Sequence, residues 1–190
     1  MPVVQQLTKS RLITNFDLSF TIDESGKVKV PLKWEADNLV NLKLPIPTKI
    51  TTHIRVHKRA APVFEEWFRS FRRQECECIL TFGGSFVPRI MRGANLPDTS
   101  DYTRDWAPFL SRHSRGIAMD FNPEQNRRST PGAKQGEIGW LGPIIEKART
   151  VHVPIIDPFH GTTWEAGIVC GADWGGKMID PMHFEIGEWR

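Results

Sequence analysis

Cysteine is scarce in this chain, with three residues, Cys76, Cys78 and Cys170, among 190. An odd number of cysteines argues against a closed disulfide framework. Cys76 and Cys78 are separated by one residue, which is not the spacing of a zinc knuckle, so we interpret them as packing residues where a helix gives way to a strand. We therefore expect a reducing compartment.

Long apolar runs and basic runs are also missing. No stretch approaches the ~20 apolar residues that cross a bilayer, so we predict no integral membrane contact. The first residues do not combine a basic segment with a long apolar one, and we predict cytoplasmic synthesis without a signal peptide. The net charge is +3, and the basic residues are scattered among acidic ones. This distribution argues against nucleic acid as a partner.

The rest of the composition is that of an ordinary globular protein. Hydrophobic residues make up 39% of the chain and charged residues 25%, which leaves enough apolar side chains for a real core. The length suits one domain with a small annex. We place an N-terminal β annex in residues 1–48 and the main domain in residues 49–190, and we expect a monomer.

Alternation of apolar and polar residues predicts the strands. A hairpin is predicted over residues 16–34, with its turn at 24–26, and another strand over residues 50–57. Further short strands are predicted at 79–82, 116–121 and 181–186. His53 and His57 have the spacing of a helical metal pair, but they lie in an alternating segment without the glutamate of an HExxH motif, so we interpret them as structural.

Apolar residues at helical spacing predict one clear helix over residues 62–71. A second, short helix is predicted over residues 161–169. Residues 93–108 are rich in Gly, Pro and Asp and are predicted to form a long loop of the kind that often belongs to a site. Together these elements favour an α+β fold in which a small antiparallel sheet packs with helices, with an N-terminal β-hairpin annex.

Four residues suggest a chemistry. His113 and Asp120 lie seven residues apart, and His183 follows near the end of the chain, three residues after Asp180. Two imidazoles and one carboxylate are enough protein ligands for a catalytic zinc that keeps a position open. Asp180 is then a candidate base. A single histidine is more often a hydrogen-bonded residue than a ligand, and Asp-Pro is a common turn pair, so the conjunction of the four carries the interpretation.

Strand geometry places three of these residues on one face. His113 and Asp120 could also share a helix face, but Gly116 between them favours a strand. In that strand Asp120 points away from the apolar residues. His183 does the same in the last strand, so pairing of the two strands would bring Asp120 and His183 together. Asp180 has the wrong parity for that face, so we place it in the turn before the last strand.

Two sequence blocks resemble the zinc peptidases of the M15 family. Residues 111–122, SRHSRGIAMDFN, fit the signature S-x-H-x-x-G-x-A-x-D-[FIL]-N, and residues 180–185, DPMHFE, are similar to the block [DE]-x-x-H-F. Residues 83–93, GGSFVPRIMRG, resemble the Gly-aromatic-x-x-Arg segment upstream. The resemblance covers roughly residues 50–188 and implies an M15/hedgehog-like core.

The resemblance also implies roles for individual residues. It makes His113, Asp120 and His183 zinc ligands and Asp180 the catalytic acid/base. Ser111 matches a substrate-contacting position. Arg89 is the better match to the arginine that holds substrate or polarises the scissile carbonyl, with Arg92 as its rival.

The implied activity is zinc-dependent hydrolysis of peptidoglycan stem peptides. Within the family, the Asp of DPMH, the length and the absence of a predicted signal peptide favour an L-alanyl-D-glutamate endopeptidase like those of phage endolysins, acting on the bacterial cell wall after release. A D-alanyl-D-alanine carboxypeptidase is the alternative enzyme. A third possibility is a zinc-containing wall-binding or virion structural module without turnover, because a fold does not fix a function.

Overall fold

An antiparallel sheet of five strands forms the centre of the computed structural model, which describes residues 4–8, 12, 15–23, 27–45, 51–91 and 109–189. In chain order the strands are β1 (Val4–Gln6), β2 (Thr21–Ile22), β3 (Val28–Lys29), β4 (Leu39–Lys43), β5 (His53–His57), β6 (Ala118–Asp120), β7 (Val153–Ile156), β8 (Thr163–Cys170) and β9 (His183–Trp189). The α-helices are α1 (Leu32–Asn38), α2 (Ala61–Arg69), α3 (Arg73–Cys76) and α4 (Gly142–Ala148). None of the described helices has the length and apolar character needed to cross a membrane.

Strand β9 is the middle of the main sheet. One of its edges pairs with β8, which in turn pairs with β7. The other edge is shared, because β6 pairs with the first residues of β9 and β1 with the last. Two smaller pairs, β2 with β3 and β4 with β5, are also antiparallel. The predicted α+β class with a small antiparallel sheet is confirmed.

Helix α2 covers the apolar face of the sheet. It confirms the predicted helix, and its residues Val63, Phe64, Trp67 and Phe68 are fully buried. The Trp67 ring lies 4.9 Å from that of Phe184 on β9, centroid to centroid. Full burial of one such side chain stabilises the fold by about 1.5–3 kcal/mol. This packing commits one face of β6 and β9 to the core and leaves their other face for polar residues.

The N-terminal region packs in two places. Strand β1 extends the main sheet, and Leu7 and Phe16 are buried in the same core cluster as Phe184. The predicted hairpin is present as β2 and β3 and forms a second apolar cluster, in which Leu18 and Val28 pack with Leu110. The hairpin therefore supports the segment beside the candidate site, while the division of the chain at residue 48 stays a prediction.

Three local predictions are wrong. The strand predicted over residues 79–82 is only an isolated bridge between Phe82 and Phe121. The hairpin pattern does not continue to residue 34, because Pro31 cannot donate to a ladder and instead precedes α1, where its carbonyl accepts from the Glu35 amide at 3.1 Å. The short helix predicted over residues 161–169 is strand β8. Gly167 lies opposite Gly187 of β9 there, and a Cβ on Gly167 would come 2.7 Å from Trp189 Nε1. That close approach is a tertiary feature that the local pattern does not contain.

Acid is expected to weaken the fold through His57. This imidazole is 2% exposed at the end of β5, packs edge-on against Phe16 at 5.2 Å, and accepts a hydrogen bond from the Arg59 amide at 3.2 Å through Nδ1. Burial, together with the nearby positive charge of Arg59, lowers its pKa to about 3. The unfolded chain therefore takes up a proton that the folded chain refuses between pH 6.5 and about 3. This contribution to stability is full above pH 6.5 and is lost as the pH falls.

The replacement His57→Asn tests this expectation, because the amide oxygen keeps an acceptor near Nδ1 and does not titrate. Below about pH 6, the free energy of unfolding should fall less steeply in the variant, by about 1 kcal/mol per pH unit. Urea unfolding at several pH values measures both slopes. His53→Asn, at the exposed end of the same strand, is the matched control. Equal acid sensitivity of the wild type and the His57 variant would contradict the assignment.

Candidate metal centre

The pairing of β6 with β9 brings two of the predicted ligands together. Asp120 lies directly opposite His183 in the ladder, and Ala118 opposite Glu185. All four residues are on the face turned away from α2, whereas Met119 and its neighbours fill the core. The predicted meeting of Asp120 and His183 across the ladder is confirmed, and the small side chain of Ala118 leaves space on this face.

His113 reaches the same face from the turn before β6. It lies in a 3₁₀ helix, Arg112–Arg115, whose first amides are capped by Ser111: the Ser111 Oγ accepts from the His113 amide at 3.3 Å. Gly116 ends this helix with a left-handed φ of 66°. It also passes so close to β5 that a Cβ on residue 116 would lie 2.8 Å from the backbone nitrogen of His57. Only glycine tolerates both conditions. Ser111 thus positions His113, and its contact with a substrate stays a prediction.

The donor atoms of the three residues fit a metal ion. His113 Nε2 lies 3.1 Å from Asp120 Oδ1 and 3.3 Å from His183 Nδ1, and His183 Nδ1 lies 3.0 Å from the same Asp120 oxygen. Tetrahedral zinc with ligands at ~2.0–2.1 Å separates its ligand atoms by ~3.3 Å. The three residues are buried, and this donor set, two imidazoles and one carboxylate, is one that zinc accepts.

The electrostatics of the cluster keep its carboxylate ionised. Burial opposes ionisation of Asp120, but hydrogen bonds from His113 and His183 outweigh it and hold the pKa of this carboxyl well below its usual range. Burial lowers the pKa of His113. Burial also opposes a charge on His183, yet its hydrogen bonds to Asp120 and Glu185 raise its pKa to about 9. Asp120 is thus a permanent negative charge between two rings, and a metal ion would have to displace a proton from His183.

Asp180 lies in the turn before β9, where it was predicted. Its backbone holds it from two sides, because its amide donates to the Gly171 carbonyl at 2.9 Å and its carbonyl accepts from the His183 amide at 3.0 Å. A Cβ on Gly171 would come 2.3 Å from the backbone carbonyl oxygen of Asp180, so a side chain at residue 171 is excluded. Within the described part of the chain the Asp180 Oδ1 is buried and has no hydrogen-bond partner. Burial raises the pKa of this carboxyl, with the charge of Asp120 acting in the same direction.

Of the two candidate arginines, Arg89 lies at the cluster. Its guanidinium is 3.7 Å from the second oxygen of Asp120. Its backbone is tied to Ser114, whose hydroxyl accepts from the Arg89 amide and donates to the Arg89 carbonyl, both at 2.8 Å. Arg92 lies outside the described residues. The substrate role of either arginine stays a prediction.

Trp174 forms one wall beside the cluster. Its ring lies 5.4 Å from that of His183, centroid to centroid, and it also lines a cavity of about 640 Å³ together with Val169 and Trp189. None of the three candidate ligands lines that cavity. The cavity and the cluster therefore share Trp174 as a neighbour, but the cavity contains none of the candidate ligands.

Sequence reasoning did not assign a role to Glu185. It shares the face of His183, two residues further along β9, and accepts from His183 Nε2 at 3.0 Å. The i, i+2 spacing on one strand face was the available signal. Ser114, which holds the Arg89 backbone, was also missed, and its local sequence carried no indication of that contact.

Comparison with known proteins agrees with the geometry. A family model described as D-alanyl-D-alanine carboxypeptidase matches residues 105–186. Over this segment the chain is similar to the M15 peptidases. It contains His113, Asp120, Asp180 and His183, whereas Arg89 lies before it. The comparisons with curated proteins and with solved structures returned no match.

This match confirms the resemblance noted in the sequence. It supports a hydrolase that acts on peptide bonds related to peptidoglycan. The structure adds a buried triad of residues that could hold a metal ion. The match is narrower than the predicted span of residues 50–188, and its description does not distinguish an endopeptidase from a carboxypeptidase.

Proposed function

We propose that this protein is a zinc-dependent peptidase that hydrolyses the stem peptides of peptidoglycan. The observation that carries the proposal is the spacing of 3.0–3.3 Å among His113 Nε2, Asp120 Oδ1 and His183 Nδ1, within a segment that matches a peptidase family. When bound, zinc supplies Lewis-acid chemistry that polarises a carbonyl and makes water more acidic.

The protein's own groups supply the proton transfers. Asp180 takes a proton from the attacking water and returns it to the leaving amine. Its buried, unpartnered Oδ1 and raised pKa suit a carboxyl that must both accept and donate a proton. Arg89 holds a positive charge beside Asp120, where it stabilises the oxyanion that develops on the scissile carbonyl. Ser111 and the walls around Trp174 contact the substrate.

The bond we propose is that between L-alanine and D-glutamate, because the acid/base in the DPMH block is an aspartate, as in the endolysin-like members that this block resembles. The alternative is a D-alanyl-D-alanine carboxypeptidase, which is favoured by the description of the matching family. Both activities would use the same ligands and the same base.

Digestion of purified sacculi tests the proposal. The zinc-loaded protein is expected to release soluble wall fragments, and removal of zinc by a chelator should abolish this release until zinc is returned. New N-terminal D-glutamate identifies the endopeptidase, and free D-alanine identifies the carboxypeptidase. Stoichiometric zinc without new termini of either kind would instead indicate a non-catalytic module and would refute the peptidase. Elemental analysis of the purified protein identifies the metal that it carries.

A further inference from the structure

The His183 ring is held at both of its nitrogens. Nδ1 points to the cluster, 3.0 Å from Asp120 Oδ1, and Nε2 points to Glu185 Oε2, also at 3.0 Å. A neutral imidazole carries its proton on one nitrogen and offers a lone pair on the other. An ionised carboxylate can only accept, so Glu185 favours the proton on Nε2 and leaves the Nδ1 lone pair facing His113 and Asp120.

Glu185 is itself fixed in place. Its side chain is 2% exposed, and Arg112 lies against it, with Nε 3.8 Å from Oε2. Gln6 of β1 lies opposite Gly187, two residues along β9 from Glu185, and its side chain helps to lower the pKa of the Glu185 carboxyl. Arg112 also donates to the Leu7 carbonyl at 3.4 Å, which ties the same guanidinium to the residue after β1. The Glu185 Oε2 atom thus lies between His183 and Arg112, whereas Oε1 is buried without a hydrogen-bond partner in the described part of the chain.

The support comes from outside the matched segment. Gln6 belongs to β1, which pairs with the end of β9 so that Gln6 lies opposite Gly187. Residues 105–186 therefore contain His183 and Glu185 but not Gln6. The two ligand histidines differ here, because His113 Nδ1 is buried and has no hydrogen-bond partner in the described part of the chain. His113 is oriented by its packing and by Ser111, whereas His183 is oriented by a carboxylate.

We propose that Glu185 is a positioning residue that presents Nδ1 of His183 to the metal, and that Gln6 of β1 holds Glu185 in that position. The proposal rests on the proposed zinc site and adds to it the residues that orient one ligand. It also assigns a task to the N-terminal strand, which is to complete the support of the metal centre from the far edge of β9. Partners of this kind raise metal affinity by about 10–100-fold.

The first measurement uses the wild-type protein alone. Nitrogen-15 NMR of the imidazoles in the zinc-loaded protein is expected to show one histidine bound through Nδ1 with its proton on Nε2, and the spectrum of the His183→Gln variant assigns that signal. A His183 bound through Nε2 would overturn the proposal. This readout does not depend on whether a Glu185 variant folds.

The second measurement is zinc affinity by competition with a chelator. Glu185→Leu, which keeps the volume and removes the acceptor, is expected to bind zinc about 10–100-fold more weakly, and Glu185→Gln, which keeps an acceptor oxygen, should recover most of that loss. Gln6→Leu should weaken binding by a smaller factor. Gln5→Leu, one residue earlier on β1 and opposite Glu188, is the matched control and should bind as the wild type does.

The outcomes separate this proposal from the proposed function. If the wild type binds stoichiometric zinc and cuts sacculi while Glu185→Leu binds zinc equally tightly, the positioning role is wrong and the peptidase stands. If Gln5→Leu and Gln6→Leu weaken binding equally, the support by Gln6 is wrong. If the wild type binds no zinc, both proposals fall. The cobalt-loaded proteins provide a check, because a change in ligand geometry alters the visible spectrum of Co²⁺, whereas a loss of stability alone does not.

Discussion

Asp180→Asn is expected to keep the fold and the metal and to lose hydrolysis by about 100- to 10,000-fold. The amide has the shape of the carboxyl but cannot take up a proton at working pH. Asp180 is outside the proposed ligand set, so zinc stoichiometry should stay at the wild-type value. Its backbone contacts with Gly171 and His183 do not involve the side chain and should survive the replacement. Initial rates on sacculi or on a synthetic stem peptide measure the loss.

Asp173→Asn is the matched control for this loss. Asp173 lies in the 3₁₀ helix Gly171–Asp173, close to Asp180 in the chain, but its carboxylate is 46% exposed and pairs with Arg149 at the surface. Exposed ion pairs contribute about 0–1 kcal/mol to stability, so this variant should remain active. Wild-type rates in Asp180→Asn would remove Asp180 from the mechanism, and loss of zinc in that variant would make it a ligand rather than a base.

His113→Ala is expected to release the metal and, with it, all activity. A catalytic zinc site has three protein ligands, and removal of one leaves too few for stable binding. The loss of affinity should exceed the roughly 10–100-fold that removal of an outer partner such as Glu185 costs. Elemental analysis should find about one zinc per chain in the wild type and close to none in the variant.

The controls for His113→Ala address folding. His113 is fully buried, so the truncation also leaves a cavity, and thermal unfolding must show a cooperative transition. Asp120→Asn preserves volume and is expected to lose zinc in the same way. His152→Ala removes a histidine whose side chain is 58% exposed and should leave zinc stoichiometry unchanged. Unchanged stoichiometry in both His113→Ala and Asp120→Asn would contradict the ligand set.

Much of the site could be predicted from local pattern. The alternation in residues 116–121 and 181–186 places Asp120 and His183 away from the apolar residues, and the observed register puts them opposite each other. Parity also placed Asp180 in the turn before β9, which is where it lies. These predictions succeeded because a strand has a period of two and its buried face is recognisable from a few residues.

Other features required contacts between distant parts of the chain. Strand β8 was predicted as a helix, because its extended form depends on pairing with β7 and β9 and on the close approach of Gly167 to Trp189. The Arg89 guanidinium lies 3.7 Å from Asp120, a contact that no spacing in the chain expresses. Hydrogen bonds and ladder pairs of this kind join residues whose separation in sequence carries no periodic signal.

The kinds of ligand, their order and the strand faces that carry them are thus properties of the amino-acid sequence, because side-chain chemistry and strand periodicity are local. The spacing of the three donor atoms, the exclusion of a side chain at Gly171 and the hydrogen bond between His183 and Glu185 exist only in the folded chain. They arise because β9 pairs with β6 at one end and with β1 at the other, which brings residues from both ends of the chain beside the candidate metal centre.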